Sequence, residues 1–321
     1  MVVGAIPFDS DTPAALTVPE AIIREEGPLE PHAYYRNQSL SSRVVGFDPE
    51  PEEHLRRVEA AIGTIETSKL EKVVLARAVD IEFPEAIDPR LVAARLIDLS
   101  ANRDGFIADL SPAGRPGAML VGSSPEVLVK RQGSTVSAFP LAGSSPRRAL
   151  AAEDHLAGQD LLHSSKDLHE HAFVVDHLRR ALTPLCERLD IPDVPQLIST
   201  NEMWHLGTPI SGTLKDKDLT ALELALAVHP TPAICGTPAE AAQALIETAE
   251  TDRGFYAGAV GWCDSSGDGE YMVAIRCAEV AGDGLSARAW AGGGIVGDSD
   301  AQAELEETTA KLRTILKALS L

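Results

Sequence analysis

The segment from residue 288 to residue 316 constrains the fold of this 321-residue chain more than any other. It contains a short apolar run, three consecutive glycines at 292–294 and a helical pattern with Glu304, Glu307 and Lys311 on one stripe. Apolar side chains recur on another side of this helix, at Leu305, Leu312, Ile315 and Leu319. The pattern predicts a strand that ends in a glycine turn and feeds an amphipathic helix.

The polar stripe of this helix has two interpretations. Carboxylates and an amine one turn apart are often only the solvated face of a helix. Glycines have no side chain, however, so a strand that ends in them can offer bare N–H groups to an anion. An anion held beside acidic residues requires a cation between them. The segment therefore favours a site for a divalent metal and a carboxylate substrate.

The charge of the chain excludes several classes of partner. The sequence has 48 acidic and 28 basic residues, a formal net charge of −20 and a pI near 4.8. Nucleic acid and anionic membranes select basic surfaces, so neither is expected to bind. No apolar run reaches the roughly 20 residues of a membrane span, and the start lacks the basic region of a signal peptide. A cytoplasmic protein is predicted.

The cysteines show no C-x-x-C spacing, which argues against a thiolate metal site and a disulfide framework. They are predicted to be buried thiols, at Cys186, Cys235, Cys263 and Cys277.

Mixed helical and strand patterns predict one α+β domain over residues 1–321. Residues 1–50 mix proline, glycine and charge and are expected to form peripheral strands and loops, and residues 51–321 are expected to form the catalytic core. Helices are predicted at 54–65, 91–99, 161–185, 219–228 and 239–249. A long buried strand is predicted at 72–83, and a hairpin at 255–280.

Several polar residues stand at the ends of these elements. Lys72 begins the long strand, and Glu126 follows a Gly-Ser-Ser-Pro turn between two strands. A second Gly-Ser-Ser-Pro, at 143–146, precedes two arginines. Each has an ordinary interpretation as a solvated lysine, a solvated carboxylate or a plain turn. The second turn could also bind an anion through its N–H groups.

The tripeptide His169-Glu170-His171 suggests a metal site at first sight. Adjacent residues on a helix diverge by about 100°, so the three cannot ligate one ion as an H-E-x-x-H motif does. Glu170 alone remains a candidate ligand.

Three further residues have both structural and functional interpretations. His205 and His229 are each more often structural hydrogen-bonding groups than catalysts. Arg276 is predicted in the second strand of the hairpin among apolar neighbours, where a buried arginine needs an anionic partner from the protein or a ligand.

Together, these segments resemble the chorismate-utilising enzymes, and most closely their isochorismate synthases. The motifs follow in the family's order: VGAIPF, KVVLAR, GSSPE, FPLAGS, KDLHEH, MWHLGTP, HPTPAICGTP, AGAVGWCDSSGDGE, AIRCA, AGGGIV and EETTAKL. The resemblance implies one large two-layer domain, with two stacked antiparallel β-sheets flanked by helices and the site between the sheets.

The resemblance also implies roles for residues at matching positions. Lys72 corresponds to the general base, Glu126 to the general acid and His205 to a histidine near the substrate ring. The implied Mg²⁺ site has the ligands Glu170 and Glu307, with Glu304 and Asp167 beside them holding metal-bound water. The implied substrate-binding residues are Gly143, Ser144, Ala233, Ile234, Tyr256, Ile275, Arg276, Gly292, Gly293 and Lys311.

The implied reaction adds water at C2 of chorismate and expels the C4 hydroxyl, which requires a base and an acid. Lys72 must be neutral to accept the proton of the water. Glu126 must be protonated, which implies a raised pKa. Mg²⁺ suits an all-oxygen site and offsets a dianionic substrate inside an acidic protein. No redox cofactor is expected.

Other activities within the family stay open. Isochorismate can lose pyruvate to give salicylate, and ammonia can replace water to give aminated products. Relatives with those activities typically carry Thr where this chain has Ala233, and Ile275 agrees with a synthase that uses water. Tyr256 also occurs in salicylate-forming relatives.

A different class of function is a catalytically silent relative that only binds chorismate or a protein partner. Many family members extend further at the N-terminus, which gives this alternative some weight. The presence of every implied acid, base and metal position argues against it. A monomer without an obligate partner is predicted. Its product is expected to supply siderophore, salicylate or menaquinone synthesis.

Overall fold

Hydrogen bonding divides the strands of the computed structural model, which describes residues 1–25 and 30–321, into two large antiparallel sheets and a small one. The eight-stranded sheet contains, in spatial order, β10 (Cys186–Asp190), β13 (Ile210–Leu214), β8 (Thr135–Phe139), β7 (Val127–Gln132), β16 (Gly269–Val273), β15 (Ala259–Cys263), β1 (Val2–Ile6) and β2 (Ala15–Thr17). The seven-stranded sheet contains β14 (Gly236–Thr237), β4 (Lys72–Glu82), β18 (Ser286–Ile295), β17 (Cys277–Val280), β6 (Met119–Gly122) and β5 (Phe106–Asp109), with β3 (Arg43–Asp48) also beside β4. The small sheet contains β11 (Gln196–Ser199), β12 (Met203–Gly207) and β9 (Leu141–Pro146).

Helices cover the outer faces of the sheets. They are α1 (Ala33–Arg36), α2 (Pro51–Thr67), α3 (Pro89–Leu99), α4 (Ala151–His163), α5 (Ser165–Leu182), α6 (Ala221–Val228), α7 (Ala239–Ala249) and α8 (Ala301–Ala318). None of the helices in the described residues is both long enough and apolar enough to cross a membrane.

The pairing of β4 with β18 forms the centre of the seven-stranded sheet. Every residue of β18 has a partner on β4, and the glycines at 292–294 lie opposite residues 74–76. Because β4 is rich in β-branched and small side chains, it is buried on both faces, as the sequence predicted. The predicted glycine turn is wrong, because residues 292–294 are paired residues within β18. The ladder places them at the same end of the sheet as Lys72.

Two apolar clusters hold these layers together. The larger combines side chains of both large sheets, such as Val73 of β4 and Val129 of β7, with those of α6 and α7. The smaller packs α3 and α8 on the other face of the seven-stranded sheet. Two large antiparallel sheets flanked by helices are thus confirmed, whereas the small third sheet was not predicted. The four cysteines are buried free thiols, as expected.

The single helix predicted at 161–185 is wrong, because the helix is interrupted at Ser164. This residue is extended, with φ −69° and ψ 113°, and its side chain accepts a hydrogen bond from the Asp167 backbone N–H. A serine that caps the following turn competes with continuation of the preceding helix. Two helices, α4 and α5, therefore meet there.

The prediction that Arg276 lies within a hairpin strand is also wrong. The hairpin consists of β15 and β16 and ends at Val273, and β17 belongs to the other large sheet. Arg276 lies in the connection between them with a φ of +52°, a conformation that is uncommon for residues other than glycine. The chain crosses from one sheet to the other here.

Candidate active site

A cavity between the large sheets gathers most of the predicted site residues. Those that line it are Glu126, Gly143, Ser144, Glu170, His205, Ala233, Ile234, Tyr256, Ile275, Arg276, Gly292, Glu307 and Lys311. The wall also contains residues that the sequence analysis did not single out, namely Val74, Pro125, Leu141, Ala142, Trp290 and Ala291. Each of these except Trp290 lies next to a predicted site residue or within a motif that contains one, and that proximity was the available signal.

Four predicted residues lie behind this wall rather than on it. Lys72 is fully buried, with its Nζ 3.1 Å from Glu170 Oε1. Asp167 packs against Gly143, where an added Cβ would lie 3.0 Å from the Asp167 Cβ. Gly293 lies against Glu304, whose Oε2 would be 2.8 Å from an added Cβ. These contacts place all four beside the cavity.

Glu126 lies just before β7 and is almost fully buried. Burial raises its pKa to about 7, although a hydrogen bond to the Leu141 backbone and the positive charge of Lys72 act in the opposite direction. Ordinary glutamates ionise near pH 4.5. A substantial fraction of Glu126 is therefore protonated at neutral pH, as a general acid requires.

One cation at the cavity, Arg276, has no partner of opposite charge in the described part of the chain. Arg276 is 7% exposed, and within the described residues no carboxylate lies within 4 Å of its guanidinium. Its Nη2 lies 3.4 Å from His205 Nε2. Burial, together with the charges of Arg276 and Lys311, lowers the pKa of His205 well below its usual value, so this imidazole is neutral. The arrangement suits an anionic ligand.

Three carboxylates on α5 and α8 do have partners of opposite charge, since each contacts a lysine. Glu170 pairs with Lys72, Glu304 accepts a 2.7 Å hydrogen bond from Lys166, and Glu307 accepts one from Lys311. The contact between Lys72 and Glu170 is close but not aligned as a hydrogen bond.

The pKa values of Glu304 and Glu307 on α8 shift in opposite directions. Burial and the nearby charge of Glu307 raise the pKa of Glu304. Burial also opposes ionisation of Glu307, but the ammonium of Lys311 outweighs it and lowers the pKa. Because one of the two pKa values is raised, Glu304 and Glu307 together carry less than two full negative charges near neutral pH.

These acidic groups fit a hard divalent cation such as Mg²⁺ by type, because all of their donors are oxygens. Glu304 Oε2 is buried and has no hydrogen-bond partner among the described residues. Gly294 leaves room for Glu170 Oε1, which would lie 2.1 Å from an added Cβ. Across residues 1–25 and 30–321, no three acidic, histidine or cysteine side chains converge closely enough to hold a metal. Ligation would therefore require these carboxylates to exchange their lysine contacts.

The remaining walls are apolar and closely packed. Tyr256 stacks on Trp290 with their ring centroids 5.6 Å apart. Ala233 and Ile234 follow a short loop held by hydrogen bonds from the N–H groups of residues 234 and 235 to the Thr231 carbonyl. Gly292 comes so close to Tyr256 that an added Cβ would lie 2.9 Å from its hydroxyl. The ring of a ligand could pack against such a surface.

The predicted residues therefore form one chemical arrangement. A carboxyl with a raised pKa, a buried amine and two cations border a cavity with apolar walls, and a cluster of carboxylates lies beside it. Such a site can bind a small carboxylate and transfer protons to and from it.

Comparisons with known proteins identify the family. A model of the chorismate binding enzymes matches residues 19–320. The MenF protein of Mycobacterium tuberculosis is 46% identical over 99% of this chain and 86% of its own length. Isochorismate synthase DhbC of Bacillus subtilis is 44% identical over 99% of this chain and 80% of its own.

A solved structure agrees with these relatives. The crystal structure of DhbC from Bacillus anthracis superposes with a TM-score of 0.92 and 41% identity, covering 100% of this chain and 83% of that one. The motifs, the fold and these similarities agree, and the chain belongs to the family of chorismate binding enzymes.

Proposed function

We propose that this protein is an isochorismate synthase, an isomerase that converts chorismate to isochorismate by adding water at C2 and expelling the C4 hydroxyl. The observation that carries the proposal is Glu126, a buried carboxyl whose pKa is raised to about 7 in a cavity that also contains Arg276 and Lys311. The relatives named as isochorismate synthases support the same reaction.

In this mechanism, Lys72 removes a proton from the attacking water and Glu126 donates a proton to the departing hydroxyl. One water is consumed and one is released, so no redox cofactor is needed. Arg276 and Lys311 bind the carboxylates of the substrate, and neutral His205 lies against its ring. Tyr256 and Trp290 exclude bulk water from one side.

We propose Mg²⁺ as the cofactor, held by Glu170 and Glu307, with Glu304 and Asp167 holding its waters. When bound, the ion would supply positive charge for a substrate carboxylate. The Oε2 of Glu304, which no described residue hydrogen-bonds, supports this assignment. A cytoplasmic monomer remains the prediction of the sequence. The product would supply siderophore or menaquinone synthesis, since relatives of both kinds are similar to this chain.

A second candidate is a salicylate synthase, which Tyr256 leaves open. Incubation of the purified protein with chorismate and Mg²⁺, with and without an ammonium salt, separates the candidates when products are resolved by chromatography. Isochorismate as the single product, lost on chelation, is expected. Salicylate with pyruvate, an aminated product or unchanged chorismate would each overturn the proposal.

A further inference from the structure

A buried ion pair lies behind the cavity wall, and the proposed reaction does not use it. The side chains of Arg253 and Glu250 are 2% and 6% exposed, and Arg253 Nε lies 2.7 Å from Glu250 Oε2. A buried ion pair is often no more stabilising than apolar residues of similar size. Its presence therefore points to a role in geometry.

The pair lies at a gap along one edge of β4. On this edge β14 pairs with residues 72 and 73, and β3 pairs with residues 78–82. Within the described residues no strand pairs with the edge between them, where the Val74 carbonyl and the Ala76 N–H point outward. Buried backbone groups of this kind require partners.

Arg253 and Glu250 supply those partners. Glu250 Oε1 accepts a 2.7 Å hydrogen bond from the Ala76 N–H, and Arg253 Nη2 donates one of 2.7 Å to the Val74 carbonyl. Arg253 Nη1 donates a third of 2.7 Å to the carbonyl of Ile234. The pair thus joins the strand that carries Lys72 to the loop that carries Ala233.

Arg253 also contacts the aromatic wall. Its guanidinium carbon lies 5.9 Å from the centroid of the Tyr256 ring, which in turn stacks on Trp290. The other neighbour is the Phe8 ring, 4.6 Å away. One side chain therefore touches three parts of the cavity wall from behind.

We propose that the Arg253–Glu250 pair, here called the clamp, is a positioning device that replaces a missing strand at the gap in β4. It fixes the strand of Lys72, the loop of Ile234 and the ring of Tyr256 relative to one another. The inference rests on the proposed function, since it concerns how the base meets the substrate. Displacements of about 1 Å at a reacting centre can lower rates about 100-fold.

The test is Arg253→Lys, with Arg131→Lys as a matched control. A lysine keeps the charge but cannot reach two carbonyls and a carboxylate at once. Arg131 is also buried and also donates to two carbonyls, of Ser266 and Lys217, and to the carboxylate of Asp268. It lies at the far end of β7 from Glu126, away from the cavity lining.

The clamp predicts that kcat/KM for chorismate falls at least tenfold in Arg253→Lys, mostly through kcat, and less than twofold in Arg131→Lys. A merely structural role would lower the melting temperature of both variants and affect turnover equally, and that result would overturn the proposal. If Arg253→Lys does not fold, Glu250→Gln decides the question. A loss of at least threefold supports the clamp, and unchanged turnover contradicts it.

Hydrogen–deuterium exchange gives a readout that does not depend on activity. Peptides covering residues 72–78 and 231–236 should exchange faster in Arg253→Lys and at the parent rate in Arg131→Lys. Unchanged exchange in both variants would overturn the clamp. If the parent protein leaves chorismate unchanged, the proposed function fails, and exchange still decides whether the clamp orders the strand and the loop.

Discussion

The two groups of charges around the cavity are arranged in contrasting ways. On α5 and α8, each of Glu170, Glu304 and Glu307 already contacts a lysine. Arg276 has no carboxylate partner in the described part of the chain. The pKa of Glu126 is close enough to neutral pH for this carboxyl to hold a proton. The first region balances its own charge, whereas the second requires a ligand to do so.

This difference shows how an acidic protein can bind a dianion. Burying an unpaired charge costs several kcal/mol, so an unpaired arginine is tolerated where a bound anion will repay that cost. Paired carboxylates avoid the same cost without a ligand, and a divalent cation can exchange with the lysines.

The largest expected effect is the loss of either proton-transfer group. Lys72→Ala and Glu126→Gln should each lower kcat by about 100-fold or more, the usual contribution of general acids and bases. Both variants should remain folded and bind Mg²⁺ in calorimetry. The nearby exposed residues offer controls, because Lys69→Ala and Glu71→Gln should keep the parent rate. Activity above about a tenth of the parent rate in either site variant would contradict the acid and base assignment.

Removing one cation from each region tests whether the two regions differ in stability as well as in binding. Arg276→Met should raise KM for chorismate by at least tenfold without lowering the melting temperature, because no protein carboxylate loses its partner. Lys311→Met should both raise KM and lower the melting temperature by several degrees, because it leaves Glu307 buried and unpaired. Steady-state kinetics and thermal unfolding measure the two effects. Equal destabilisation by both variants would show that the regions do not differ.

A smaller effect is expected on the pH dependence of stability. The pKa of Glu126 is about 7 in the folded protein and near 4.5 when unfolded, so the folded state binds the proton more tightly. The stability that this proton provides is present below about pH 4.5 and lost as pH rises through about 7. The melting temperature of the parent should therefore fall by a few degrees relative to Glu126→Gln between pH 5 and 7.

Exposed Glu187 supplies the control for this titration. The difference between the parent and Glu187→Gln should not depend on pH over the same range. A parallel pH profile for the parent and Glu126→Gln would mean that Glu126 titrates as an ordinary carboxyl.

The smallest effect is expected at the apolar wall, which belongs to neither charged region. Ala233→Thr places a hydroxyl beside the substrate and should release a small amount of pyruvate, detectable in a coupled assay with lactate dehydrogenase. The parent protein serves as the reference. The absence of pyruvate would mean that this loop residue marks a subfamily without directing the product.

Hydropathy patterns predicted much of the fold. β4, α3, α7 and α8 lie close to their predicted positions because long periodic segments encode their own burial. The break at Ser164 was missed because one capping serine outweighs a continuous helical pattern. Arg276 was misplaced because no local signal shows that consecutive strands belong to different sheets.

The site residues that lie in family motifs could be predicted from the sequence. Those that act through side-chain contacts between distant segments could not. Glu126 and Lys72 are named by resemblance to a family, not by periodicity. Lys166, Arg253 and Glu250 could not be found this way, since their partners are distant in sequence and only the folded chain brings them together. The contrast between the paired carboxylates and unpaired Arg276 also depends on such tertiary contacts within the described residues.

The most direct test of the account is the fate of oxygen in water labelled with ¹⁸O. Wild-type protein, Mg²⁺ and chorismate are incubated in H₂¹⁸O, and the isochorismate formed is examined by mass spectrometry and ¹³C NMR. The account predicts one ¹⁸O atom at C2 and loss of the original C4 oxygen, because Lys72 activates solvent water while Glu126 protonates the departing hydroxyl. Isochorismate without label would show transfer of the substrate's own hydroxyl and would contradict the account.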